Sequence, residues 1–400
     1  MALPSPLDRH QPSLEDANDL TEALALDEGQ RARAQSRFYR IAQHFESDLN
    51  TDNTDNTSRS RNRDGNGGDG SSSAARYSLP LLVRLTYDHA LSGQSRENFL
   101  RAFFSALALP VDGPQGQGEE DEDIEDLRSP FFGFADYLLD NFFLPLKASA
   151  KKTPQPSPAY HSAIERVQGG TFSCTSDRVS ALRGACLVRD RHRCVISRKF
   201  DLHEAAARAR RDGDDALDND GNLLREDGNS VSMLNVAHIL PHSLMTAQPG
   251  SEPSPSKQAT LAILNMFDNG VEHLIEGPDI DRPRNAITLT TDFRSLFGDF
   301  QVFFEPLDQP HTYRIDSFYP RMFLRDPAFP ITRALYLSEH QTIDPPSPRL
   351  LALHRAIAQI LHLSAAGEYI DRLLSDMDGR DVHAVGTTEL DRLVRVRLRG

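Results

Sequence analysis

Asn235-Val-Ala-His-Ile-Leu-Pro241 and Asn285-Ala-Ile-Thr-Leu-Thr-Thr-Asp-Phe-Arg-Ser-Leu-Phe-Gly298 decide how this chain is read. Val231–Ile239 predicts a strand, and Pro241 ends it, because proline cannot donate to a ladder. His238 therefore falls near a strand end, where an imidazole can meet a ligand. Its ordinary pKa suits it to take a proton from water near neutral pH. Ala286–Leu289 predicts a second short strand, and Thr291–Leu296 starts a short helix. The amide of Asn285 can both donate and accept, so it can lock the backbone of a neighbouring loop. Taken singly, His238 also fits a histidine buried beside a turn, and Asn285 an ordinary turn residue after Pro283-Arg284.

Outward from these stretches the order of phrases gains meaning. Cys186-Leu-Val-Arg-Asp-Arg-His-Arg-Cys-Val-Ile-Ser197 comes first, then Ala237-His-Ile-Leu-Pro-His-Ser243, then Asn285 through Pro306. Together they resemble an HNH endonuclease domain of the ββα-metal type, in particular that of fungal HNH-nuclease-domain proteins. Leu353-His-Arg-Ala-Ile-Ala and Ser364-Ala-Ala-Gly-Glu-Tyr-Ile-Asp371 look like the helical tail of those proteins. The resemblance spans residues 180–377 and leaves the first 150 uncovered. It implies phosphodiester hydrolysis of nucleic acid, with His238 as general base, Asn285 as loop brace and a divalent cation, magnesium or zinc, as cofactor.

The chain also departs from the family. Many HNH domains place His or Asp just before the catalytic His, where this chain has Ala237. On the family helix two ligand positions fall at Arg294 and Gly298. Arginine is permanently protonated and repels a divalent ion at ligand distance. Asp292, Asp299 and His242 are the nearby groups that could substitute as ligands. Arg294 could instead clamp a phosphate oxygen. The alternative expectation is a catalytically inactive scaffold that binds nucleic acid or a protein partner.

Arg189, Arg191 and Arg193 are candidate phosphate contacts. They lie in Arg183–Arg211, which holds nine Lys/Arg against three Asp/Glu, although the whole chain carries a net charge of −14. That overall charge argues against a protein coating nucleic acid through its total field. A solvated basic helix face would look the same in sequence.

Two other constellations compete. Asp218, Asp220, Gly221 and Asp227 fall at calcium-loop positions, yet Ala216 stands at position one, so a surface loop is expected. Cys186, His192 and Cys194 match no zinc spacing and predict buried thiols. Three cysteines, including Cys174, predict a reducing intracellular compartment, nucleus or cytoplasm. No secretory signal or apolar run of membrane-spanning length is visible, so no membrane partner is expected.

The expected fold class is α+β: an HNH-like ββα unit with additional strands and C-terminal helices, after a helical, partly disordered N-terminal region. Residues 1–150 are the helical region, with 47–75 disordered for want of apolar content and 110–128 an acidic spacer. Residues 151–180 are a linker, 181–377 the HNH-like domain with its helical tail, and 378–400 a C-terminal tail. Strands are expected at Cys194–Ile196, Gln301–Glu305 and His311–Ile315, and possible edge pairing at Leu393–Arg399. With 21 Phe and no Trp, cores should be rich in Phe and Leu.

Overall fold

Several helices here begin at a residue whose side chain caps the first turn. The structure, a computed structural model, describes residues 25–59, 77–111, 124–150, 175–226, 230–241, 255–338 and 342–378. In chain order the helices are α1 (Glu28–Arg59), α2 (Leu79–Asp88), α3 (Gly93–Ala106), α4 (Arg128–Leu138), α5 (Leu144–Ala150) and α6 (Thr175–Arg189). They continue with α7 (Leu202–Asp212), α8 (Pro255–Phe267), α9 (Thr291–Gly298), α10 (Pro348–Leu363) and α11 (Ala366–Asp378). The strands are β1 (Phe200–Asp201), β2 (Val231–Ser232), β3 (Leu234–His238), β4 (Ala286–Thr290), β5 (Val302–Pro306), β6 (Thr312–Ser317) and β7 (Ile331–Ala334). The fold class is α+β.

The chain divides into two units. One comprises residues 1–145, 253–270 and 359–400, the other 146–252 and 271–358. In the first, Ser78 caps α2 by accepting from Leu81 N, and Ser92 caps α3 by accepting from Ser95 N. Each cap satisfies an amide that the helix itself leaves unpaired. Phe38 of α1, Phe99 and Phe103 of α3 and Phe134 of α4 are buried and meet mainly edge to face. Each such ring, fully buried, stabilises by roughly 1.5–3 kcal/mol. Helix α8 belongs to this unit: Phe267 packs on Phe142 and Phe143, and its carbonyl accepts from Leu91 N at 2.7 Å. Helix α11 joins it too, with Tyr369 stacked on Tyr77.

In the second unit β3 and β4 pair antiparallel, with His238 opposite Ala286 and Ala237 opposite Ile287. Every residue of β4 is buried, so its pattern is continuous rather than alternating. Thr290 then caps α9 by accepting from Phe293 N, and the chain turns directly from strand to helix. Leu182 and Cys186 of α6 bury against Val236 of β3 and Ala286 of β4. An antiparallel sheet β5-β6-β7 follows, and the short pair β1-β2 is parallel.

The structure departs from the sequence reading in several places. Cys194–Ile196 is a turn, not a strand: Arg193 bridges Phe200, and Arg198 N returns to the Cys194 carbonyl at 3.0 Å. All three side chains are buried, which a turn wedged under β4 allows and a half-exposed strand does not. Helix α7 occupies a stretch with no predicted element. Helix α1 runs on through Arg59, into the part expected to be disordered; once a helix is nucleated, each added residue gains one backbone bond. The single boundary near residue 150 is replaced by the interleaved division above, because α8 and α11 carry apolar faces that bury with the N-terminal helices. The last residues of the expected linker, 175–180, open helix α6; its residues 151–174, the rest of the 47–75 stretch, the greater part of the acidic spacer and Leu393–Arg399 lie outside the described residues.

Candidate active site

His238 closes β3, and its side chain is 5% exposed. Its Nε2 lies 3.1 Å from Oδ1 of Asp281, at the end of the 3-10 turn Gly277–Asp281. The other oxygen of that buried carboxylate accepts from Arg178 Nε of α6 at 3.3 Å. A carboxylate acceptor at Nε2 favours the tautomer protonated there and leaves Nδ1 as the basic nitrogen.

Asn285 is fully buried just ahead of β4. Its Nδ2 donates to the carbonyls of Leu240 at 3.1 Å and Ile280 at 3.0 Å, while Oδ1 accepts from Leu240 N at 3.0 Å. Ile239 N also donates to the Asn285 carbonyl. One side chain thus ties the segment after His238 to the turn that carries Asp281.

Arg294 lies on α9 and is half-buried; burial lowers its pKa from the ordinary guanidinium value. With Ala237, His238, Gly298, Phe300 and His354 it lines a cavity of ≈ 30 Å³, room for a water molecule. His354 comes from α10. It stacks on Phe297 with centroids 3.9 Å apart and on Phe300 at 4.7 Å, and Nε2 bonds to the Phe297 carbonyl at 3.0 Å. Burial pushes its pKa down to about 3, so it is neutral.

The predicted arginines separate. Arg189 is wholly buried: Nε and Nη2 bind the two oxygens of Asp190 at 2.8 and 2.9 Å, and further bonds run to the carbonyls of Pro283, Asp344 and Ala286. It is withdrawn from solvent, and a phosphate cannot meet it in this conformation. Asp190 also accepts from Thr288 N of β4. Arg193 is buried too, on Asp218 at 2.5 Å and over the Phe200 ring. Arg191 stays partly exposed, paired with Asp220 at 2.6 Å. All three arginines were expected to serve phosphate; for Arg189 and Arg193 the low-dielectric interior instead demands that the buried charge be paired.

Residues 194–305 match the family model HNH_2, described as HNH endonuclease. No curated protein and no solved structure matches the chain. The matched segment contains β3, β4, α9, His238, Asp281, Asn285 and Arg294; Arg178 and His354 lie outside it. HNH domains typically use a divalent cation. Among the described residues no group of three or more His, Cys, Asp or Glu is placed to hold a metal ion. The cavity wall presents Ala237, Gly298 and a guanidinium beside the two imidazoles. These residues do not fit a divalent cation. Asp292 and Asp299 are not among the lining residues, and His242 lies outside the described ones. Asp218, in the supposed calcium loop, caps its own turn by accepting from Asp220 N and Asn222 N. Cys186 and Cys194 are free and buried, and burial raises the Cys186 thiol to about 12. No described helix is long and apolar enough to cross a membrane.

Sequence reasoning missed Asp281 and His354. Asp281 sits 43 residues from His238 in a stretch of several acidic residues, and no spacing singles it out. His354 was visible within the Leu353-His-Arg phrase, but nothing local marks it as facing the same cavity.

Proposed function

We propose that the protein is an HNH nuclease-type protein directed at nucleic acid, with His238 as the general base. The contact between His238 and Asp281 carries the reading, because it orients the ring and favours the tautomer protonated at Nε2. In the step proposed, Nδ1 of His238 takes the proton of a water whose oxygen attacks phosphorus, and the bond from phosphorus to the leaving oxygen breaks. Arg294, across the cavity, supplies fixed positive charge to the phosphate oxygens. Asn285 holds the loop that follows the base.

A second reading is favoured by the donor set: with Ala237, Arg294 and Gly298 at the ligand positions, the same scaffold would bind nucleic acid without cutting it. Cleavage and binding of labelled DNA and RNA by the wild type, His238→Ala and Arg294→His separate the two. The nuclease reading expects cleavage that His238→Ala abolishes while binding persists. Binding by the wild type with no cleavage, magnesium and zinc included, establishes the second reading. Cleavage indifferent to His238→Ala ends the first.

A further inference from the structure

The connection from β6 to β7 carries aromatic and basic side chains that nothing in the HNH segment accounts for. In Tyr319-Pro-Arg-Met-Phe-Leu-Arg325, Phe323 is 68% exposed, Met322 62% and Tyr319 43%. The loop is nonetheless built. A 3-10 turn spans Arg321–Phe323, Phe323 N donates to the Pro320 carbonyl at 3.0 Å, and Arg325 bridges Ala328. The rings of Tyr319 and Phe323 lie 6.0 Å apart. Arg321 and Arg325 are exposed, and neither is ion-paired with a carboxylate among the described residues. The adjacent Asp326 is neutralised by Lys199 at 2.8 Å, next to Arg198, whose guanidinium lies over Tyr336. In a chain of net charge −14, this edge is locally positive.

Ordered aromatic rings held in water beside uncompensated guanidiniums suit one class of ligand. Unpaired bases stack on the rings, and the phosphates between them meet the arginines. Duplex DNA hides its bases and would gain only the phosphate contacts. A second protein copy could offer carboxylates to the arginines but no flat, unpaired bases for both rings to stack on.

We propose that Tyr319 and Phe323 form a stacking platform for single-stranded nucleic acid, with Arg321 and Arg325 holding its phosphates. The proposal rests on the reading of the HNH segment as nucleic-acid-directed, and it makes the strand presented to that segment single.

The chain contains no tryptophan, so Phe323→Trp in the full-length protein gives a single reporter at the platform. Titrating a single-stranded oligothymidylate should quench its emission saturably, and the matching duplex should quench it far less. Tyr319→Ala/Phe323→Ala should weaken single-strand affinity by about tenfold or more. Arg321→Ala/Arg325→Ala should lower the slope of log affinity against log salt by roughly 1.4. These side chains are exposed, so the melting temperature should stay unchanged. Oligonucleotide binding by filter assay with no quenching, and no effect of either double variant, overturns the platform while leaving the nuclease reading standing. Binding to no nucleic acid overturns both. Stronger quenching by anionic phosphatidylserine vesicles, or an emission change that follows protein concentration alone, overturns it in favour of a lipid surface or a second copy.

Discussion

Nε2 of His238 lies 3.1 Å from Oδ1 of Asp281, and Arg178 holds the other oxygen of the same carboxylate. The imidazole is therefore aimed by a group that is itself pinned from α6. Asp281→Asn keeps the size of the side chain but can present an N–H toward Nε2, which favours the wrong tautomer. Cleavage of an oligonucleotide should fall at least ~10-fold, with binding unchanged, since a well-placed base contributes about 10²–10⁴. Equal loss of binding and cleavage would show that the contact is purely structural.

Asn285 bonds to both the N–H and the carbonyl of Leu240 and to the Ile280 carbonyl, entirely out of solvent. Asn285→Ala strands three buried backbone groups. Urea unfolding should report a loss of roughly 3 kcal/mol or more. Asn285→Asp keeps the acceptor but loses both donors, and should also destabilise.

Arg189 and Asp190 form a wholly buried pair that links α6 to β4. Removing one partner leaves a charge uncompensated, so Arg189→Met should cost about 3–5 kcal/mol by chemical denaturation. Arg191→Ala, at the partly exposed neighbour, should change stability by less than about 0.5 kcal/mol.

His354 is buried and neutral, with a pKa pushed down to about 3 by burial. The unfolded chain binds a proton at this residue below about 6.5 and the folded chain does not. Its contribution is intact above that pH and is lost as pH falls toward 3, at up to about 1.4 kcal/mol per pH unit. In His354→Phe, which retains a flat ring against Phe297 and Phe300, the fall in stability between pH 6 and 4 should be shallower. An unchanged slope would place the acid sensitivity elsewhere.

The strand pair and helix around His238 were legible because proline, β-branched runs and a threonine cap act locally. Val231–Ile239, Ala286–Leu289 and Thr291–Leu296 all correspond to elements within a few residues. Helix α7 was missed although a local cue was present: Asp201 and Glu204 stand three apart ahead of an alanine run, and Asp201 does accept from Glu204 N. Burial was not legible. Arg189, Arg191 and Arg193 alternate in sequence like a basic face, yet two of them are buried and paired, Arg189 with its own neighbour Asp190 and Arg193 with Asp218, which the fold brings in from 25 residues away. The same holds for His354, whose stacking partners lie more than fifty residues upstream.

The first unit joins Tyr77 and Ser78 to Ser364 and Tyr369, which lie far later in the chain. On a ribosome, its phenylalanine-rich helices would be made early and would then wait for those later residues before the unit could close. During that interval their apolar faces would be open to solvent, so chaperone dependence should be greatest in the nascent polypeptide. Deleting α11 should show itself first as aggregation during synthesis, before any effect at His238.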